Sequence, residues 1–338
     1  MKNPPDDNHV ERRFAATALM LGNFITGTSI LAPAGMLSEL SGGLKVSISD
    51  AGLLITFGAI VLCIGSPLAA WLTSRIERHA LLSTTLAVLA LANAASAFAP
   101  DYATLLIIRL LMLAVAALYT PQAAGTAALI VPAEKRGGTI AFIFLGWSLA
   151  VAIGLPLVTL IASRYGWRAT YGCIGVAACF SCLLLAWRLP GGLIGAPVDL
   201  KTWADLARNR LIVLLLLITT LQVSGQFAVI TYLGPLLMRL TQASPDAVGL
   251  VFAIYGVFGF LGNVIATRLV DSLGSYRTSL LFMAMLLAGA SIWALGAGNF
   301  ALMAAAVAVW GLALPRPIPC NRYGWWVPPR RSAPRRCR

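Results

Sequence analysis

AGLLITFGAIVLCIGSPLAAWLTS, residues 51–74, and VGLVFAIYGVFGFLGNVIATRLVD, residues 248–271, align without a gap at a constant offset of 197. Gly52, Leu53, Gly65, Ala69 and Leu72 fall on Gly249, Leu250, Gly262, Ala266 and Leu269. Both stretches are unbroken apolar runs of a length that crosses a hydrocarbon core of about 30 Å as a helix. Each leads into a short charged turn, SRIERH (74–79) or DSLGSYR (271–277), before another apolar run begins. A repeated span with a repeated turn predicts two helical halves of the same topology, related by an axis along the membrane normal, with any ligand site between them near the midplane.

Composition agrees with that class. The chain is 59% hydrophobic and 11% charged, against about a quarter charged in soluble domains. Ten apolar spans are expected, near 14–37, 50–73, 80–99, 103–131, 139–162, 169–188, 211–234, 247–270, 279–296 and 299–314. The solid runs exclude a membrane barrel, whose strands alternate. The expected organisation is a cytoplasmic N-terminal tail (1–13), a first bundle of six helices (14–188), a polar linker (189–210), a second bundle of four (211–314) and a basic Pro/Arg-rich tail (315–338). The linker segment DLKTWADLARNR (199–210) suits a short amphipathic surface helix.

The net charge of +13 divides unevenly, because seven of the 25 basic residues follow Leu314 with no acidic residue among them. In the remainder, 13 basic residues fall on the side of the N-terminus, and Lys45, Arg164, Arg168 and Arg239 on the other. This bias predicts a cytoplasmic N-terminus. The first span lacks the short apolar core and small-residue cleavage site of a signal peptide, so it reads as an anchor. Arginines on an unstructured tail beside a membrane meet anionic lipid, so nucleic acid is not expected as a partner. Cys63, Cys173, Cys179 and Cys182 lie in apolar spans and read as small hydrophobes. The CxxC spacing of 179–182 is mid-helix and far from His9 and His79, so no metal or cofactor is expected. Without a cluster of carboxylates, histidines or an activated nucleophile, an enzyme is not expected either.

Individual residues stand out against the apolar background. Arg109, in LLIIRLLMLAVAAL (105–118), is a permanent charge inside a span, costing roughly 2.5–3.5 kcal/mol near the bilayer centre unless it meets water or a polar partner. Snorkelling to the surface near Asp101 is the alternative. Gly146, Ala150 and Gly154 recur every four residues, a spacing that lets a neighbouring backbone approach closely. Pro156 then frees a carbonyl and can bend the helix. Thr219, Gln222 and Gln226 share one face of the seventh span, Asn23 and Thr26 one face of the first. Asn263 and Trp147 are weaker candidates. No buried Asp or Glu is expected in any span, which leaves a coupling ion undetermined.

These features resemble bacterial major facilitator superfamily transporters of the drug/proton-antiporter or sugar- and arabinose-efflux branch, over roughly residues 12–314. The loop AWLTSRIERH (70–79) is similar to the family pattern G-x-L-a-D-R-x-G-R-R in keeping Leu72, Arg75 and Arg78, and departs from it at Ala70, Ser74 and Glu77. TRLVDSLGSYR (267–277) keeps Asp271, Gly274 and Arg277. The resemblance implies that these loops tie helix ends together, with Glu77 standing in for the missing aspartate. It identifies GWSLAVAIGLPLV (146–158) with the antiporter motif, here with Leu155 between Gly154 and Pro156. It places Arg109 at the position of a cavity-facing arginine of the fourth helix, with Leu113 where a glycine is usual. It also puts Asn23, Thr26, Gln222 and Gln226 on helices bordering the cavity, as candidate substrate contacts beside Arg109, with ties between helices as the alternative.

The function implied is export of a small molecule across the cytoplasmic (inner) membrane of a bacterium by alternating access. The protein would be a monomer in contact with membrane lipid, with protons as a candidate coupling ion. The sequence after Leu314, PRPIPCNRYGWWVPPRRSAPRRCR, changes composition abruptly. Read one frame over with GC-rich codons, it gives a string similar to that branch's continuation after the tenth helix. The ending therefore reads either as a native cytoplasmic tail or as a frameshifted or truncated product, and the alternative function is a non-transporting remnant.

Overall fold

The computed structural model describes residues 7–132, 135–195, 207–273 and 275–313. The elements, in order, are α1 (Asp7–Gly35), α2 (Leu37–Leu44), α3 (Ile48–Leu72), α4 (Arg78–Ala97), α5 (Tyr102–Ile130), α6 (Arg136–Leu149), one π-helical turn (Ala150–Gly154), α7 (Leu155–Arg188), α8 (Arg210–Ile230), α9 (Leu233–Thr241), α10 (Pro245–Leu273), α11 (Ser275–Leu295) and α12 (Phe300–Leu312). All ten predicted spans are helical. The fifth and sixth share one continuous run, interrupted at Gly166, whose φ of 84° and ψ of 165° turn the chain from one span into the next. A side-chain-bearing residue rarely adopts that conformation. Helix α12, at 13 residues, rises only about 20 Å.

Two differences from the expectation concern helix ends. Helix α1 begins at Asp7, inside the stretch expected to be a tail. The first and seventh spans are each followed by a short extra helix, α2 and α9, which the spans 14–37 and 211–234 did not separate. Half of the linker (196–206), all of its predicted amphipathic helix before Ala207, and the basic tail lie outside the described residues.

The offset of 197 extends well beyond the aligned spans. Adding it to α1, α2, α3 and α4 lands within a few residues of the bounds of α8, α9, α10 and α11. Lys45 and Gln242, 197 apart, end α2 and α9 in left-handed backbone with φ of 55° and 54°, and are the only non-glycine residues with positive φ among the described residues. Ser47 and Ser244, also 197 apart, each accept a hydrogen bond from the backbone N–H three residues on, Asp50 at 3.0 Å and Ala247 at 3.3 Å. These serines satisfy an orphan donor at the start of α3 and α10. At the start of α5, Asp101 accepts from Thr104 N–H at 2.8 Å, which holds its carboxyl below the usual range.

Packing places the π-helical turn at the centre. Pro156 has no N–H to give the Ala152 carbonyl, and the N–H of Leu155 reaches back five residues to the Ala150 carbonyl. The face formed by Gly146, Ala150 and Gly154 lies against α1. A Cβ on Gly146 would strike the backbone of Met20 and Phe24, one on Gly27 would meet Ala150 Cβ at 2.9 Å, and one on Gly154 would strike Thr28. On the opposite side, a Cβ on Gly256 of α10 would collide with the Ala152 backbone. The turn is therefore gripped by both halves. Around it, Leu31, Val151 and Leu155 of the first half share one buried cluster with Phe252, Tyr255 and Trp310 of the second. Side chains such as Leu111, Phe180, Leu183 and Leu295 stand largely exposed, as a surface facing hydrocarbon requires. A water-soluble monomer rarely carries so much exposed apolar area.

Substituting alanine at Gly146 or Gly256 forces backbones apart and should destabilise by about 1–3 kcal/mol, the usual cost of overpacking. Gly65, where a Cβ would make an ordinary 3.7 Å contact with Ala117, should accept alanine without loss. Thermal unfolding of the three purified variants in one detergent checks the contrast.

Candidate functional site

Helix α1 is the axis of the polar interior. Pro33 in α1 has no N–H, so the carbonyl of Ser29, four residues earlier, lacks its helical donor. Arg109 supplies one. Its Nη2 donates to Ser29 O at 3.0 Å and to Ile30 O at 3.3 Å, and its guanidinium carbon lies 5.5 Å from the centre of the Tyr171 ring. The residue is 1% exposed, which rules out the snorkelled position. A defect in one helix and a charge in another thus satisfy each other. Asn93 of α4 joins this group by donating to Ser29 Oγ at 3.1 Å and to Leu89 O at 2.8 Å. Arg109 Nε and Nη1, Asn93 Oδ1 and the Tyr171 hydroxyl remain buried without a partner, a costly condition in a low-dielectric interior. Leu113, where the family pattern has a glycine, fills the space opposite Gly58, and a Cβ on Gly58 would strike it.

Asn23 and Thr26 are fully buried and hydrogen-bonded. Asn23 Nδ2 donates to Ile143 O at 3.0 Å, and its Oδ1 accepts from Thr120 at 2.7 Å, joining α1 to α6 and α5. Thr26 Oγ1 donates to Gly22 O at 2.8 Å within its own helix. On α8, Thr219 is exposed, Gln222 half-buried and Gln226 buried with Nε2 unpaired. Trp147 covers Gly27. The side chain of Asn263 lies outside the described residues.

The loop after α3 is fastened to the first half and to the start of the linker. Ser74 Oγ turns back to Trp71 O at 2.9 Å, and Arg75 is exposed. Glu77 Oε1 accepts from Gly192 N–H, and the Arg78 backbone N–H donates to Leu193 O at 2.8 Å. Arg78 Nη1 donates to Gln122 Oε1, while Gln122 Nε2 donates to Thr73 Oγ1 at 3.3 Å. A Cβ on Gly195 would overlap the Arg78 guanidinium. In the second-half loop Arg277 is exposed. Gly274 and the side chain of Asp271 lie outside the described residues.

Sequence reasoning missed Gln122, Asn93, Thr120 and Tyr171. Their signal was present, since each is a polar group within an apolar span, but they follow no helical stripe. It also passed over Glu39, which falls just beyond the predicted first span. Glu39 lies on α2 at a cavity between the halves, with room for about one water molecule, lined also by Ser38, Thr159, Pro235, Met238 and Val248. Burial pushes its carboxyl above the usual range, and its own backbone amide draws it partly back.

Comparison with known proteins follows the same lines. The family model of the Major Facilitator Superfamily matches residues 19–322. The chain is 31% identical over 298 residues to the inner membrane transport protein YdhP of Escherichia coli O157:H7, covering 88% of this chain and 76% of that protein. It is 29% identical over 262 residues to a probable sugar efflux transporter of Mannheimia succiniciproducens, covering 78% of this chain and 66% of that protein. It spans 65% of YdhP from Escherichia coli strain K12, so it covers roughly two thirds to three quarters of these relatives. Among solved structures, a D-xylose–proton symporter superposes with a TM-score of 0.64 at 19% identity, over 89% of this chain and 79% of that one. A bacterial homolog of the human lysosomal transporter Spinster, inward-facing and unoccupied, gives 0.68 at 15% identity, over 92% of this chain and 74% of that one. At such identities the structural likeness establishes the fold.

Replacing Asn23 by alanine takes from the Thr120 hydroxyl its acceptor on α1 and breaks the tie to the Ile143 carbonyl. The expected cost is about 1–3 kcal/mol, measurable as a lowered unfolding temperature relative to wild type in detergent.

Proposed function

Because the chain belongs to the Major Facilitator Superfamily, a family of multi-pass membrane transporters rather than enzymes, we propose that it exports a small molecule across the inner membrane by alternating access. The observation that carries this reading is the seam. Repeat-related halves meet through one π-helical turn, where Gly256 rests on Ala152, and through contacts on the side away from the linker. There Arg164 and Asp246 lie 3.8 Å apart and Ser38 meets Met238 at 3.9 Å. Halves joined at the middle and at one end can rock about that middle to expose a central site to either side in turn. The distribution of basic residues supports placing the N-terminus and linker in the cytoplasm, which makes the Ser38 end the outer one.

In this reading Arg109 is the cavity-wall charge that orients substrate. Gln222 and Gln226 are substrate contacts from the second half, and Asn23 and Thr26 hold the first-half wall in shape. Gly146, Ala150, Gly154 and Pro156 form the pivot. Arg75, Glu77, Arg78, Asp271, Gly274 and Arg277 anchor the inner loops. The protein acts as a single chain among lipids, with protons as the proposed coupling ion. Relatives named as sugar efflux transporters make sugars the first class to screen, beside amino acids and cationic drugs.

One observation favours a second reading, that of a product inserted but not transporting. The most apolar window of α1 is 67% buried, whereas that of α8, its counterpart in the repeat, is 6% buried. Flux into proteoliposomes separates the two.

Replacement of Arg109 by alanine in an active preparation should abolish flux while membrane insertion is unchanged; undiminished flux would make Arg109 a packing residue only. For orientation, a cysteine replacing Arg75 should react with an impermeant maleimide only from the cytoplasmic face, and one replacing Lys45 only from outside.

A further inference from the structure

The helices α2 and α9 occupy equivalent places in the two halves and meet at the seam, where Ser38 touches Met238. Their facing surfaces are not equivalent. Position 39 carries a carboxyl, and the position 197 residues on is Leu236. Glu39 lines the small cavity enclosed by α1, α2, α7, α9 and α10, and no other titratable side chain lines it among the described residues. A half-buried carboxyl that depends on the opposite half for its cover changes its exposure whenever the halves part.

The charged groups on the surrounding elements are engaged elsewhere or point away from the cavity. Arg164 and Asp246 are near one another at the surface. Asp50 accepts from Ser47 Oγ at 2.6 Å. Arg168 donates to Ala99 O at 3.0 Å and stacks on Trp167. Arg239, and Lys45 at the end of α2, are both exposed, and neither lines the cavity. The neighbourhood therefore offers Glu39 no cation, and what it does offer, Met238, Val248, Pro235 and Pro245, favours the neutral carboxyl.

We propose that Glu39 is a proton-loading site that latches the seam: the outer ends of the two halves close on the protonated carboxyl and part when it ionises. This rests on the alternating-access reading and makes closure of its outer end depend on pH. The proton comes from the solution on the Ser38 side, binds a Glu39 carboxylate oxygen in the parted state, and returns to that solution only if the seam reopens there. The sign follows from linkage. The closed state holds the proton more tightly than the hydrated, parted state, so lowering the pH favours closure and raising it favours parting. Each unit of difference in affinity on the pKa scale changes the ratio of closed to parted molecules about tenfold.

The test reads the seam itself rather than flux. Spin labels are placed on cysteines replacing Gly42 of α2 and Leu240 of α9, both exposed, in a background with the native cysteines changed to serine. Distances are measured in lipid at pH about 5 and about 8, on the acid and alkaline sides of neutrality. The reference should gain a longer-distance population at the higher pH. Glu39→Gln, neutral at both, should hold the short distance throughout. Glu39→Asp, which keeps an ionisable group, should retain the transition. A reference without a transition, a Glu39→Gln variant that shifts as the reference does, or a Glu39→Asp variant that stays fixed overturns the proposal. A pH-dependent seam in protein that carries no flux would count against the transport reading alone.

Discussion

The architecture depends on close approach of backbones at the π-helical turn 150–154. Association of helices in lipid gains little from hydrophobicity, since the tails are as apolar as the side chains, so van der Waals contact between closely packed surfaces must hold them. Glycine and alanine at 146, 150 and 154 permit that approach on the α1 side, and Gly256 permits it on the α10 side. The widened turn is what lets one short segment serve both. A π-turn displaces the register of the helix, and Pro156 leaves the Ala152 carbonyl without its usual donor at the place where the second half comes closest.

Around this contact the first half is fastened by buried polar bonds. Asn23 links α1, α5 and α6, Asn93 links α4 to α1, and Arg109 links α5 to α1. Each falls in a region where an unbonded polar group is expensive, so each partner is held in a narrow range of positions. The second half has no counterpart of the arginine: the position 197 residues after it is Ala306, buried in the apolar cluster. Similar backbones thus enclose different interiors.

Much of the fold was legible in the sequence because a bilayer imposes simple rules. Length and apolarity located ten spans, and a fixed offset between two of them predicted the repeat, later visible in the paired caps Ser47 and Ser244 and the paired left-handed residues Lys45 and Gln242. The close face of Gly146, Ala150 and Gly154 was legible for the same reason. Individual polar partners were not. Arg109 could be recognised as needing compensation, yet its acceptor depends on Pro33, far away in sequence and unremarkable alone. Asn23 reads equally well as a cavity group or a helix tie until Thr120 and Ile143 are in place. Glu39 escaped because hydropathy treats the end of a span as interface, and only the arrival of α9 and α10 encloses it.

The pairing of Pro33 with Arg109 has a mechanical meaning. A helix with a missing internal bond would ordinarily flex at that point, and here a rigid planar fork from a neighbouring helix spans the gap. Bending of α1 near Ser29 without a matching displacement of α5 would strip a charged group of its acceptors in a nonpolar medium. The joint is therefore braced, and force applied to one end of the first helix is passed to the helices beside it, so that the half travels as a block.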